Sequence, residues 1–200
     1  MQIQALYYAR IYWKVDIITM SFGYPRGVHS IREQIKLAVA DDILVFAAAS
    51  NDGGNSSRMF PASEIGVFAI HSTDGNGVAS GFNPDAERDE NFSILGEHVQ
   101  SAWLTKDGSV STRRLSGTSF ATPIAVCLSA FVLAYVPRIL PDYETYYQKL
   151  NTYQGMRNVL QLMATERTGS GGYQYLNAQK YFMKEQSAVR EGIKEALSRA

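Results

Sequence analysis

Apolar positions recur along the chain with two periods, one helical and one short and strand-like. Leu6, Ala9 and Trp13 stand at three- and four-residue spacings, which predicts a helix over residues 3–13. Val15 to Met20 is a short, mostly β-branched run closed by Ser21-Phe22-Gly23, the pattern of a buried strand. After the turn Tyr24-Pro25-Arg26-Gly27, Ser30 is the expected N-cap of a second helix. Glu33 would complete its capping box, and Ile31, Ile35, Ala38 and Val39 form its apolar face. Ile43 to Ala49 and Ile65 to Ile70 read as two further strands.

Strand, helix and strand at these spacings make a parallel crossover unit. The expectation is an α/β fold with a mostly parallel sheet and helices on both faces. Working groups in such sheets gather at the carboxyl ends of strands, which singles out Ser21-Phe22-Gly23 and Ser50-Asn51-Asp52-Gly53. Residues 72–91 are polar and predict surface loop, and Phe92 to Leu104 carries strand-like pieces. Ile124 to Val136 predicts a core helix, shorter than the roughly 20 residues of a membrane span. The composition changes after Pro137. Tyr143 to Ala164 and Ala178 to Ala200 predict amphipathic helices, separated by the Gly-rich stretch Thr168 to Tyr173. The chain thus divides into a domain over residues 1–137 and a helical C-terminal extension over 138–200.

Charge and cysteine content narrow the function classes. Lys plus Arg and Asp plus Glu both number 19, so no net field gathers nucleic acid or an anionic membrane. The lone Cys127 excludes an internal disulfide and the paired-cysteine zinc and redox patterns, and its apolar helix predicts a buried side chain. Asp52, Asp74, Asp85, Glu87, Asp89 and Glu90 match no calcium loop and read as a solvated face. No metal and no cofactor is expected. The N-terminus lacks the basic start and continuous apolar run of a secretory signal, which suits an intracellular location.

The densest chemistry lies in Leu115-Ser-Gly-Thr-Ser-Phe-Ala-Thr-Pro123, a small-residue turn opening the apolar helix. It leaves the hydroxyl of Ser119 at the positive end of a helix dipole, among free backbone N–H groups. A weak nucleophile gains most in such a setting when a base is also present.

Ser-Gly-Thr-Ser119-Phe-Ala-Thr-Pro123 resembles the nucleophile motif of the subtilisin-like serine peptidases. Val45-Phe-Ala-Ala-Ala-Ser-Asn51-Asp-Gly53 resembles that family's oxyanion-site segment, and Ile17-Ile-Thr-Met-Ser-Phe-Gly23 its groove-lining strand, all in the family's order. The resemblance covers about residues 1–137. It implies a serine endopeptidase in which Ser119 attacks the scissile carbonyl and Asn51 stabilises the oxyanion. Ser21, Phe22 and Gly23 would hold an extended peptide substrate. The Ala47-Ala48-Ala49 face would wall the pocket for the side chain before the cut, beside Ser50, which stands where the family often has glycine. Pro123 is expected in the first helical turn.

One part of the family pattern is missing. The family's acid and base precede the nucleophile in glycine-containing motifs, and His29, His71 and His98 lie in none of these. Asp16 opens a strand without such a context and is given no catalytic role. The expectation is therefore the nucleophile-bearing C-terminal part of a peptidase domain, nearly inactive alone and open to pairing with an N-terminal segment or another chain. The alternative is a non-catalytic binding or scaffolding module with the same fold.

Overall fold

The computed structural model describes residues 1–87, 91–141, 143–166 and 171–200. Helix α1 (Gln2–Tyr8) continues as one π-helical turn, Ala9–Trp13, which ends on Lys14 in the left-handed region. Strand β1 (Ile17–Met20), helix α2 (His29–Ala40), β2 (Leu44–Ala48) and β3 (Val67–Thr73) follow in the predicted order. Three boundaries differ from the sequence reading. Val28, not Ser30, occupies the α2 N-cap and makes no side-chain capping bond, because the helix begins at His29 and Ser30 lies inside its first turn. Ile65 is fully solvated and outside β3, which runs on to Thr73.

The main sheet has the order β1-β2-β3-β4-β8-β7, with β4 at Phe92–Leu95, β7 at Ala164–Glu166 and β8 at Gln174–Leu176. Its neighbours are parallel except for the antiparallel β7–β8 pair. Because successive strand residues face opposite ways, β2 feeds both sides. Leu44 and Phe46 join one core with the long helix α3 (Thr118–Ile139), and Val45 and Ala47 join another with α1 and α2. Helices therefore cover both faces, as expected.

The C-terminal segment is helical, in α4 (Tyr143–Leu150), α5 (Tyr153–Met163), α6 (Ala178–Phe182) and α7 (Gln186–Ser198), and it also supplies β7 and β8. The predicted helix over 143–164 is broken because Thr152 caps α5, its hydroxyl accepting the Gly155 N–H at 3.0 Å. The Tyr153 ring lies 4.5 Å from that of Phe68, which in turn stacks on Phe46 at 4.6 Å. The tail thus closes the core over β2 and β3.

Helix α3 spans 22 residues, longer than the sequence suggests, and is apolar enough by length and composition to cross a membrane. In this fold one stripe of it, Ala121, Ala125, Val132 and Val136, is fully buried against the sheet. Cys127 lies on the opposite side and is exposed, contrary to expectation. Before α3 the chain makes a hairpin of β5 (Val99–Leu104) and β6 (Val110–Leu115), of which only the first strand was expected.

Candidate active site

The turn entering α3 is fixed from three directions. Gly117 has φ +154, a conformation suited to glycine, and a Cβ there would lie 3.3 Å from Asn51 Nδ2. The Gly117 N–H donates to the Gly96 carbonyl at the end of β4, at 2.9 Å. A side chain at Gly96 would meet Ser72 Oγ at 2.5 Å and the Gly117 carbonyl at 2.9 Å, so this approach also needs glycine. Thr118 is fully buried, and its hydroxyl donates to the Ser50 carbonyl at 3.2 Å and to Asn51 Oδ1 at 3.0 Å.

Asn51 is 67 residues from Thr118 in sequence, yet its Oδ1 accepts the Thr118 backbone N–H at 2.8 Å. A backbone N–H can only donate, so this bond turns the carbonyl side of the amide toward the turn and leaves Nδ2 as a donor. Among the described residues Nδ2 has no acceptor, and neither has the backbone N–H of Ser119, second in the helix. Two unengaged donors at a helix N-terminus form an anion-stabilising arrangement. The Ser119 hydroxyl donates to the Ser21 carbonyl at 3.5 Å.

A cleft of about 170 Å³ beside these groups is lined by Phe22, Gly23, Ala48, Ser50, Asn51 and Ser119, all singled out from the sequence, together with Asp52, Met59 and Thr118. Ala49 does not line it. That residue is fully buried, its N–H bonded to the Ile70 carbonyl and its own carbonyl to the Met59 N–H at 2.9 Å, and of the expected Ala47-Ala48-Ala49 face it is Ala48 that lines the cleft. Ser21 contributes beside the cleft, its hydroxyl donating to the Ser119 carbonyl at 3.0 Å. That acceptor is free because Pro123 lies one turn deeper in α3 than expected and has no N–H to give it.

Among the described residues no histidine hydrogen-bonds Ser119. His29 opens α2 in solvent, and exposed His98 sits at φ +54 with its N–H on Ser116 Oγ. His71 is buried in β3, bonded through Nδ1 to the Phe92 carbonyl at 3.2 Å and 5.1 Å from the Tyr173 ring. Asp85 accepts the Asn55 N–H at 3.0 Å and Glu87 reaches Arg58 at 4.0 Å. Among the described residues no group of His, Cys, Asp or Glu is arranged to hold a metal ion, and Asp89, Glu90 and Thr168 lie outside those residues. The sequence reading missed Gly96 and Met59. A glycine closing an apolar strand was a signal for Gly96, and none marked Met59.

The chain is 33% identical over 171 residues to the subtilisin-like protease het-Q2 of Podospora anserina, covering 78% of this chain and 46% of that protein. It is 30% identical over 173 residues to the major intracellular serine protease of Bacillus subtilis, covering 82% of this chain and 51% of that protein. It thus spans about half the length of these curated relatives. Among solved structures, a protease domain of PatA superposes with a TM-score of 0.71 at 24% identity, over 98% of this chain and 64% of that one. The prenylagaramide maturation protease PagA superposes at 0.69 and 24%, over 96% and 66% of the two chains. These two likenesses concern the fold. The sequence model of the subtilase family matches residues 1–178, and the chain belongs to that family.

Proposed function

We propose that this chain carries the nucleophile and oxyanion site of a serine-type endopeptidase. The observation that carries the reading is the pair of unengaged donors, Asn51 Nδ2 and the Ser119 N–H, beside the Ser119 hydroxyl. Ser119 Oγ attacks the scissile carbonyl carbon and gives up its proton to a base. The carbonyl oxygen takes the negative charge, which the two donors stabilise. Collapse expels the amine, which takes a proton, and water then hydrolyses the acyl ester on Ser119. An extended peptide substrate lies along Ser21, Phe22 and Gly23, in the manner of an added strand.

The base comes from outside these 200 residues in this reading, since no histidine here bonds Ser119. The support is the free edge of the sheet. Strand β1 ends at Met20, next to Ser21 and its bonds to Ser119, and among the described residues it has a neighbour on one side only. A parallel strand added on the open side would end beside the nucleophile. We take a segment of this kind, from a longer form of the protein or from another chain, to bring the acid and base.

Fluorophosphonate labelling of the protein in its natural polypeptide context checks the proposal. Labelling of wild type but not of Ser119→Ala is expected, and equal labelling of both would overturn it. A non-catalytic binding module is the second reading, favoured by the Ser119 hydroxyl donating to a backbone carbonyl rather than to a base. It predicts peptide binding with no Ser119-dependent cleavage.

A further inference from the structure

Among the described residues the cleft beside Ser119 has one charged lining residue, Asp52. Its carboxylate is held by the Ser50 hydroxyl at 2.9 Å, and the Asp52 N–H donates back to Ser50 Oγ at 3.2 Å. Ser50 is buried and Asp52 exposed, so the pair presents a fixed carboxylate at the mouth of the cleft. Phe22, Ala48 and Met59 make up the apolar part of the lining. Met59, half-buried, lies so close to Gly23 that a Cβ there would meet Met59 Sδ at 3.0 Å. A cavity of about 150 Å³ holds a benzene-sized group. The 170 Å³ here therefore suits the stem of one long side chain, with little room beyond.

From this geometry we infer that the cleft selects a basic residue, lysine or arginine, immediately before the cleaved bond. The inference rests on the peptidase reading, which puts the acyl carbon at Ser119 and its side chain in this cleft. The aliphatic stem packs on Met59 and Ala48, and the cationic head reaches the Asp52 carboxylate. Arginine pairs with it through two N–H groups and lysine as a point charge. An acidic side chain meets the same carboxylate as a like charge and is disfavoured.

Binding of product-like peptides with a free C-terminal carboxylate tests this without requiring turnover. Tetrapeptides identical except for a terminal lysine, norleucine or glutamate are titrated by calorimetry against wild type, Asp52→Asn and Asp52→Lys. Asparagine can still accept from Ser50, and thermal unfolding verifies that both variants are folded. Exposed ion pairs contribute modestly, so lysine should bind about 3–5-fold tighter than norleucine, an advantage that shrinks with added salt. The difference should vanish in Asp52→Asn and turn to favour glutamate in Asp52→Lys. Equal binding of lysine and norleucine, a preference unchanged in Asp52→Asn, or no binding of any peptide overturns the inference. Fluorophosphonate labelling, run in parallel, reads the peptidase proposal separately. Labelling without a lysine preference defeats only the specificity, whereas a lysine preference without Ser119-dependent labelling defeats only the chemistry.

Discussion

Ser21 and Ser119, 98 residues apart, exchange hydrogen bonds in both directions: Ser21 Oγ donates to the Ser119 carbonyl and Ser119 Oγ to the Ser21 carbonyl. The first bond exists because Pro123 cannot supply the N–H that would ordinarily satisfy that carbonyl within α3. The side chain of Ser21 therefore substitutes for a missing helical donor, and locks the turn entering α3 to the end of β1. Ser21→Ala is expected to cost about 0.5–1 kcal/mol in denaturant unfolding. In a Pro123→Ala background, where the helix can satisfy itself, the same change should cost clearly less. Equal costs in both backgrounds would separate Ser21 from this role.

Asn51 performs two tasks with one amide, accepting from Thr118 and leaving Nδ2 free. Asn51→Asp keeps the acceptor and removes the donor. Fluorophosphonate labelling of Ser119 in the protein's natural polypeptide context is expected to slow by about 10²–10³, the loss known for such a donor in the wider family. Melting temperature should move little. A labelling rate close to wild type would leave the oxyanion to other groups.

Gly117→Ala puts a methyl group about 3.3 Å from Asn51 Nδ2 on a backbone with φ +154. Strain of this kind costs about 1–3 kcal/mol. Relief requires the turn to move, so the Thr118–Asn51 bond should weaken together with stability. Amide hydrogen exchange at Thr118 measures this directly, and faster exchange is expected.

Much of this site was legible because its parts are local. Gly-Thr-Ser before an apolar run marks a helix start, and each apolar strand ends in small polar residues where an α/β sheet gathers its chemistry. What the sequence hid depends on distant partners. Of the expected Ala47-Ala48-Ala49 face Ala48 lines the cleft, because side chains alternate across β2, and only the parallel register with β3 fixes which face that is. Pro123 suggests a first-turn position by propensity alone, whereas Ser21 makes a deeper position tolerable. Cys127 sits on an apolar helix with one buried stripe, and hydrophobicity alone does not say which side it takes. Strands β7 and β8 have three residues each, too short for any periodicity to register.

The β5–β6 hairpin carries a pH-dependent tie. The exposed Asp107 carboxylate is held down to a pKa of about 2, first by the Thr105 hydroxyl and then by the Ser109 N–H and hydroxyl. A depressed carboxylate pKa stabilises the folded turn above its ordinary value near 3.8 and loses that effect as the pH falls through about 2. NMR titration should show the Ser109 amide shift following the Asp107 carboxyl in that acid window. In Asp107→Asn the acid transition should be absent.

The open edge of β1 has a consequence for the isolated chain. Clefts of about 280 and 660 Å³, the smaller one apolar, flank it, both reached by Trp13, which is 69% exposed. The Asp16 carbonyl accepts from Leu44, so by parallel alternation Ile18 faces β2 while the Thr19 N–H points outward. An unpaired edge of this kind recruits other strands. Sedimentation of the 200-residue chain should reveal concentration-dependent self-association. Thr19→Pro removes an outward N–H without touching the β2 ladder, and proline is tolerated at such edge positions. It should abolish the association while circular dichroism stays that of wild type. A wild-type chain that remains monomeric as its concentration is raised would show the edge to be closed by its own surroundings, and the strand-addition proposal would fall with it.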